Sequence, residues 1–190
     1  MNFPKEYINY LVHFHGTRDY FECHEILEEY WKAVDPRNLQ SHWVGFILLA
    51  VSAYHHRRKN LIGAEKTSKK ALRIFQHTPM TTINDLGLDY DQLLQQLGDK
   101  IQQIQAQRPY KSWNLPITDD ELFRSCQQQC EQHHWQWRGQ IEVPDEIIHR
   151  HMLRDRSDVI REREHQKSLR ISQAQILRSI PDKEGTSKIQ

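Results

Sequence analysis

The stretch Arg18 to Ala33, RDYFECHEILEEYWKA, holds four glutamates, a histidine and a cysteine in about four helical turns. Its centre reads His24-Glu25-x-x-Glu28, one residue away from the His-Glu-x-x-His pattern of zinc proteases. In that pattern both histidines bind the metal and the glutamate is the general base. Here the second ligand is replaced by Glu28 and no third protease ligand is evident, so that chemistry does not follow. Residues four apart share a helical face, which stacks His24 over Glu28 with Trp31 beside them.

A second group of polar residues, His55, His56, Arg57 and Arg58, closes the next hydrophobic segment. If the two segments are antiparallel helices, it meets His24, Glu25 and Glu28. Three chemistries compete. In a structural brace, Glu28 and Glu25 pair with Arg57 or Arg58 and His24 bonds across the interface; removing one partner of such a pair costs about 3–5 kcal/mol. In an anion or small-ligand pocket, the arginines are the binding groups. In a metal site, His24, Glu28 and His55 offer nitrogen, oxygen and nitrogen to zinc or another divalent ion, with one position open. The adjacent arginine charges oppose a cation, and the brace is the preferred reading.

The elements that must position these residues are helical. Pro4 opens a short helix carrying Tyr7, Ile8, Leu11 and Val12 that ends near Gly16. Asp19 reads as the N-cap of the next helix, with Glu22 completing a capping box. Tyr20, Cys23, Leu27, Tyr30 and Trp31 give that helix its apolar face, where Cys23 reads as a buried small hydrophobe. From Ser41 to about Lys59 the chain is apolar nearly all round, and Gly45 and Ser52, seven apart, form a shallow face for a close neighbour. A third helix follows with Ala64, Ser68, Ala71, Leu72 and Phe75 inward. Pro79 and its threonines break the chain, and a fourth helix runs from about Tyr90 to Gln107 under an Asp89 cap.

Together, GTRDYFECHEILEEYWKA and HWVGFILLAVSAYHHRRKNLIGA resemble a bacterial and archaeal family known as domain of unknown function 309. Gly16, Tyr20, Phe21, Glu22, His24, Glu25, Leu27, Glu28 and Trp31 match its first block. Gly45, Ala50, Ala53, His55, Arg57, Arg58, Asn60, Gly63 and Ala64 match its second. The resemblance covers roughly residues 5 to 105. It implies an all-α bundle of antiparallel helical hairpins and no established activity. Lys59 stands where the family often has glycine, which moves the expected left-handed cap to Asn60.

Beyond Arg108 the character changes. Residues 109–140 read as an extended crossing and a short helix from Asp119 to about His134. Residues 141–190 read as a charged helical arm with a disordered end, its helix opened by Pro144 and reaching about Gln175. This arm carries ten Lys/Arg and nine Asp/Glu, so it is a salt-bridge-laced helix and not a polybasic tail. Arg150 and Arg154 on it are candidates for contact with another protein or a second copy of the chain. Glu131/His134 and Glu146/His149 have the Glu-x-x-His spacing of di-iron bundles, but lie where a bundle core is least expected.

A basic face is the other partner-binding candidate. Lys66, Lys69, Lys70 and Arg73, extended by Arg57, Arg58 and Lys59, oppose only Glu65. Nucleic acid is weakly supported as its partner, since no stacking platform for bases is evident. The 26 Lys/Arg and 25 Asp/Glu of the 190-residue chain balance, which removes bulk charge as an argument for a nucleic-acid coat or a membrane anchor. The N-terminal residues are too polar for a signal peptide. Three cysteines without a CxxC pair fit a reducing, cytoplasmic compartment. No phosphate loop or nucleophile elbow is read. The expectation is a non-enzymatic macromolecule-binding or regulatory protein; the alternative is a small-ligand or divalent-metal-dependent enzyme using His24, Glu28 and His55.

Overall fold

The computed structural model describes residues 3–139 and 142–150. Among these residues the architecture is all-α: eight α-helices, one π-helical turn and a single isolated bridge between Leu88 and Ile117.

Helix α1, Lys5–Val12, buries Tyr7, Tyr10, Leu11 and Val12. Its last turn widens into a π-helical segment, His13–Thr17, that ends on left-handed Arg18 with φ 56°. Gly16 is needed within this turn because a β-carbon there would meet Cys130 Sγ at 2.8 Å. Helix α2, Tyr20–Val34, starts under Asp19, whose Oδ1 accepts the Glu22 N–H at 3.0 Å. The expected capping box is only half formed. The Asp19 N–H goes to Thr17 Oγ1 at 3.2 Å, and the Glu22 carboxylate turns outward to Arg150.

Helix α3, His42–Arg57, is apolar enough to be enclosed by its neighbours. It runs antiparallel to α2: Phe21 meets Tyr54 at one end and Tyr30 meets Trp43 at the other. Its shallow face receives α4, Leu61–His77, also antiparallel. The Phe75 ring lies 2.9 Å from where a β-carbon on Gly45 would stand, and seven residues on, Ser52 bonds Ser68 and donates to Ala64 O at 3.0 Å. The turn between them corrects the expected cap. Lys59 itself takes the left-handed conformation, φ 62°, and Asn60 instead N-caps α4 by accepting the Gly63 N–H at 3.0 Å.

A short helix α5, Met80–Asp85, follows Pro79 where only a chain break was expected. Proline ends α4 and, with its fixed φ, opens the next turn. Helix α6, Tyr90–Gln105, is capped by Asp89 through the Gln92 N–H at 2.9 Å and packs antiparallel on α4. The chain then crosses in extended form to α7, Asp120–Gln132, under an Asp119 cap. Leu115, Leu122, Cys126 and Cys130 bury themselves in the same core as α1 to α4, so the change near residue 108 is one of backbone character without a separate core. Helix α8, Asp145–Ile148, is the described start of the charged arm. The remainder of that arm, Arg154 included, lies outside the described residues. No helix among the described residues is long and apolar enough to cross a membrane.

Candidate functional site

Helix α2 brings three of the expected residues together. His24, Glu25 and Glu28, all half-buried, present donor atoms within 4.8 Å of one another. His24 Nε2 lies 2.9 Å from Glu28 Oε2, and His24 Nδ1 lies 3.1 Å from Glu25 Oε1. A neutral imidazole has one N–H, so it serves only one of these carboxylates as donor. Nδ1 is shielded from solvent and its angle to Glu25 makes no hydrogen bond. Glu28 is held on its other side by Lys32 at 2.6 Å. The partners of Glu28 therefore come from its own helix, at i±4, where the brace expected Arg57 or Arg58.

His55 does not join this group. Its Nδ1 accepts from Asn60 Nδ2 at 3.1 Å, tying the end of α3 to the cap of α4. Burial, assisted by the neighbouring Arg58 charge, lowers its pKa. The third donor beside His24 and Glu28 is Glu25, in place of His55. Trp31 does not stand over the pair either. Its indole N–H reaches Asn38 O at 3.1 Å and fastens the turn between α2 and α3.

The arginines reach a main-chain carbonyl and aromatic rings. Arg57 donates through Nη1 to the Arg18 carbonyl at 2.7 Å, and its guanidinium lies 4.9 Å above the Tyr20 ring. Arg58 lies 5.2 Å above the Tyr54 ring. Lys66, Lys69, Lys70 and Arg73 are all exposed on the outer side of α4. Glu65 among them is bound by Lys69 at 2.7 Å and by Gln105 at 2.8 Å, and these bonds hold its carboxyl below the usual range. Arg150 closes over the start of α2, bonding the buried carboxylate of Asp19 and reaching Glu22 at 3.1 Å.

The most buried polar groups lie outside the expected site. His15, fully buried, accepts the Leu115 N–H through Nε2 at 2.9 Å and donates through Nδ1 to Leu11 O at 2.8 Å. Burial drives its pKa well below 6.5, a direction the Arg138 and Arg18 charges reinforce. Arg18, 3% exposed, donates to Phe14 O, Trp113 O and the Asn114 side chain at 2.8–2.9 Å. Arg138 donates to Leu115 O at 2.9 Å and lies over the Phe123 ring. These residues clamp the extended crossing to the π-helical turn. Several of their partners, the Leu115 N–H, the Trp113 carbonyl and the Asn114 side chain, lie about a hundred residues away, a relation that side-chain spacing does not signal.

A narrow cleft between α3, α4, α6 and the crossing has a mixed lining, with Ser52, Ser68, His56, Lys100 and Tyr110 beside Leu49, Ala53, Leu97, Ile104 and Trp113. It has room for about one water molecule, which excludes a substrate of several heavy atoms. Burial also removes the cysteines as nucleophiles. It raises the Cys23 thiol well above its ordinary value and pushes Cys126 up to about 12 and Cys130 to about 11.

The profile of the family described as "Domain of unknown function (DUF309)" matches residues 7–67. A protein of Bacillus subtilis (strain 168) named "Uncharacterized protein YpuF" is 49% identical over 164 residues, which is 85% of this chain and 93% of that protein. No solved structure matches.

Proposed function

The chain belongs to the DUF309 family, and from that premise we propose that it is a non-enzymatic helical protein that binds an acidic protein partner along α4. One observation carries the reading. Lys66, Lys70 and Arg73 stand at i, i+4 and i+7 on the exposed side of α4, and the one acid of that helix, Glu65, is already taken by Lys69 and Gln105. Three cations in a row along about 10 Å of helix attract a complementary acidic surface and speed its encounter. The unpaired state of Cys23, Cys126 and Cys130 supports a reducing, cytoplasmic setting for that encounter.

The test is binding to polyglutamate and, separately, to a 20-base-pair DNA duplex, at rising salt. Polyglutamate binding that weakens with salt and disappears in the triple variant Lys66→Glu, Lys70→Glu, Arg73→Glu supports the reading. Equal binding by the triple variant overturns it. Binding to DNA alone replaces the acidic protein with a nucleic acid.

A second reading rests on α2. His24, Glu25 and Glu28 offer one nitrogen and two oxygens to a divalent cation such as zinc, with His24 Nδ1 3.1 Å from Glu25 Oε1 and without a hydrogen-bond partner. Such an ion would sit in competition with Lys32, which holds Glu28. Zinc titration of the wild type and of His24→Ala by calorimetry decides it: a one-to-one isotherm lost in the variant supports the site, and identical traces remove it.

A further inference from the structure

Arg57 is held in place by one side of its guanidinium only. Nη1 is committed to the Arg18 carbonyl at 2.7 Å and the flat face lies on Tyr20. Nε and Nη2, which together form the side-on fork of the group, are shielded from solvent and have no hydrogen-bond partner. This is the edge by which arginine binds carboxylate and phosphate in bidentate fashion. A shielded donor left unsatisfied forfeits its hydration without a replacement bond, so a fixed and unpaired fork calls for an acceptor.

The surrounding charge points the same way. Arg18, which supplies the carbonyl that positions Arg57, is itself buried, and its guanidinium bonds only neutral oxygens while its Nε has no partner. Among the described residues no carboxylate pairs with either arginine. Asp19 and Glu22 at the start of α2 are bonded by Arg150, and Glu28 by Lys32 and His24. Buried cations of this kind are ordinarily paired. Tyr20 and Tyr110, whose hydroxyls bond each other, stand beside both arginines and supply a polar aromatic wall.

We propose that the Nε/Nη2 edge of Arg57, backed by Arg18 and Tyr20, is an oxyanion-binding site that takes a carboxylate or phosphoryl group through two parallel hydrogen bonds. The site lies at the end of α3 and owes nothing to Lys66, Lys70 or Arg73, so it stands or falls separately from binding along α4.

The experiment is a titration of the uniformly 15N-labelled full chain with inorganic phosphate and, in parallel, acetate, at ionic strength held constant with chloride. The Arg57 Nε–H resonance is the reporter. A saturable shift with either oxyanion supports the site, and the arm that saturates identifies the class, phosphoryl or carboxylate. Arg57→Lys keeps the charge and removes the fork, and is expected to weaken binding about tenfold or more. The Lys66→Glu, Lys70→Glu, Arg73→Glu variant is expected to bind as the wild type does. An Arg57 resonance that responds to oxyanions no more than to chloride means that no oxyanion engages the fork, and overturns the proposal even if Arg57→Lys does not fold.

Discussion

His15 Nε2 accepts the main-chain N–H of Leu115 at 2.9 Å, joining the π-helical turn to the extended crossing across one hundred residues of chain. The main-chain group can only donate, so Nε2 is the acceptor and Nδ1 carries the proton given to Leu11 O. The ring is therefore neutral in the folded protein. Protonation would set a second N–H against the Leu115 N–H inside the core.

This fixes a pH dependence. The folded pKa of His15 lies well below 6.5, through burial first. The unfolded chain then binds more protons than the folded one as pH falls below about 6.5, so stability is full above that value and declines below it. The loss from this residue reaches at most about 1.4 kcal/mol per pH unit until the folded pKa is met. His13 and His42, both lowered by burial, add to the same trend. Urea unfolding at pH 7.5, 6.0 and 5.0 should show falling midpoints. In His15→Gln, which keeps an acceptor but no titrating group, the slope below pH 6.5 should be shallower even though stability at pH 7.5 is lower. An unchanged slope would remove His15 as its source.

The helices were legible because their signals are local. Asp19, Asp89 and Asp119 each precede an apolar rhythm and each caps as its spacing requires. The pairing of His24 with Glu28 followed from the helical repeat alone. What the spacing did not carry was the destination of long polar side chains. Trp31 turned to a loop carbonyl and Arg57 to the Arg18 carbonyl, because acceptors on the main chain have no residue type to read. Lys59 in a left-handed turn shows the converse. The geometry of the three-residue link between α3 and α4 overrides the preference for glycine or asparagine, at a cost of about 1 kcal/mol.

Gly45 and Gly98 sit in comparable helix interiors and should respond in opposite directions to alanine. A β-carbon on Gly45 would stand 2.9 Å from two carbons of the buried Phe75 ring and 3.3 Å from Ile74. Gly45→Ala should therefore destabilise by about 1–3 kcal/mol, the cost of overpacking. Nothing lies within 4 Å of the corresponding position on Gly98. Gly98→Ala should stabilise by about 0.5–1 kcal/mol through helix propensity and reduced unfolded-state freedom. Thermal melts of the two variants against wild type check both signs. Stabilisation by Gly45→Ala would mean that α3 and α4 are not in close contact there.

Asp19 does two jobs that substitution can separate. Its Oδ1 caps α2 through the Glu22 N–H, and its Oδ2 meets Arg150, which also reaches Glu22. Asparagine caps as well as aspartate does, so Asp19→Asn should lose only the ion pair. With Arg150 almost half exposed, that loss is about 1 kcal/mol or less after solvent screening. Asp19→Ala removes the cap too and should cost about 1 kcal/mol more. Arg150→Ala also gives up the contact with Glu22 and should cost at least as much as Asp19→Asn, and the double variant should cost less than the sum, since the two residues share one interaction. Denaturant midpoints for the four proteins close the cycle. Strict additivity would show that Arg150 does not hold residues 142–150 against the start of α2.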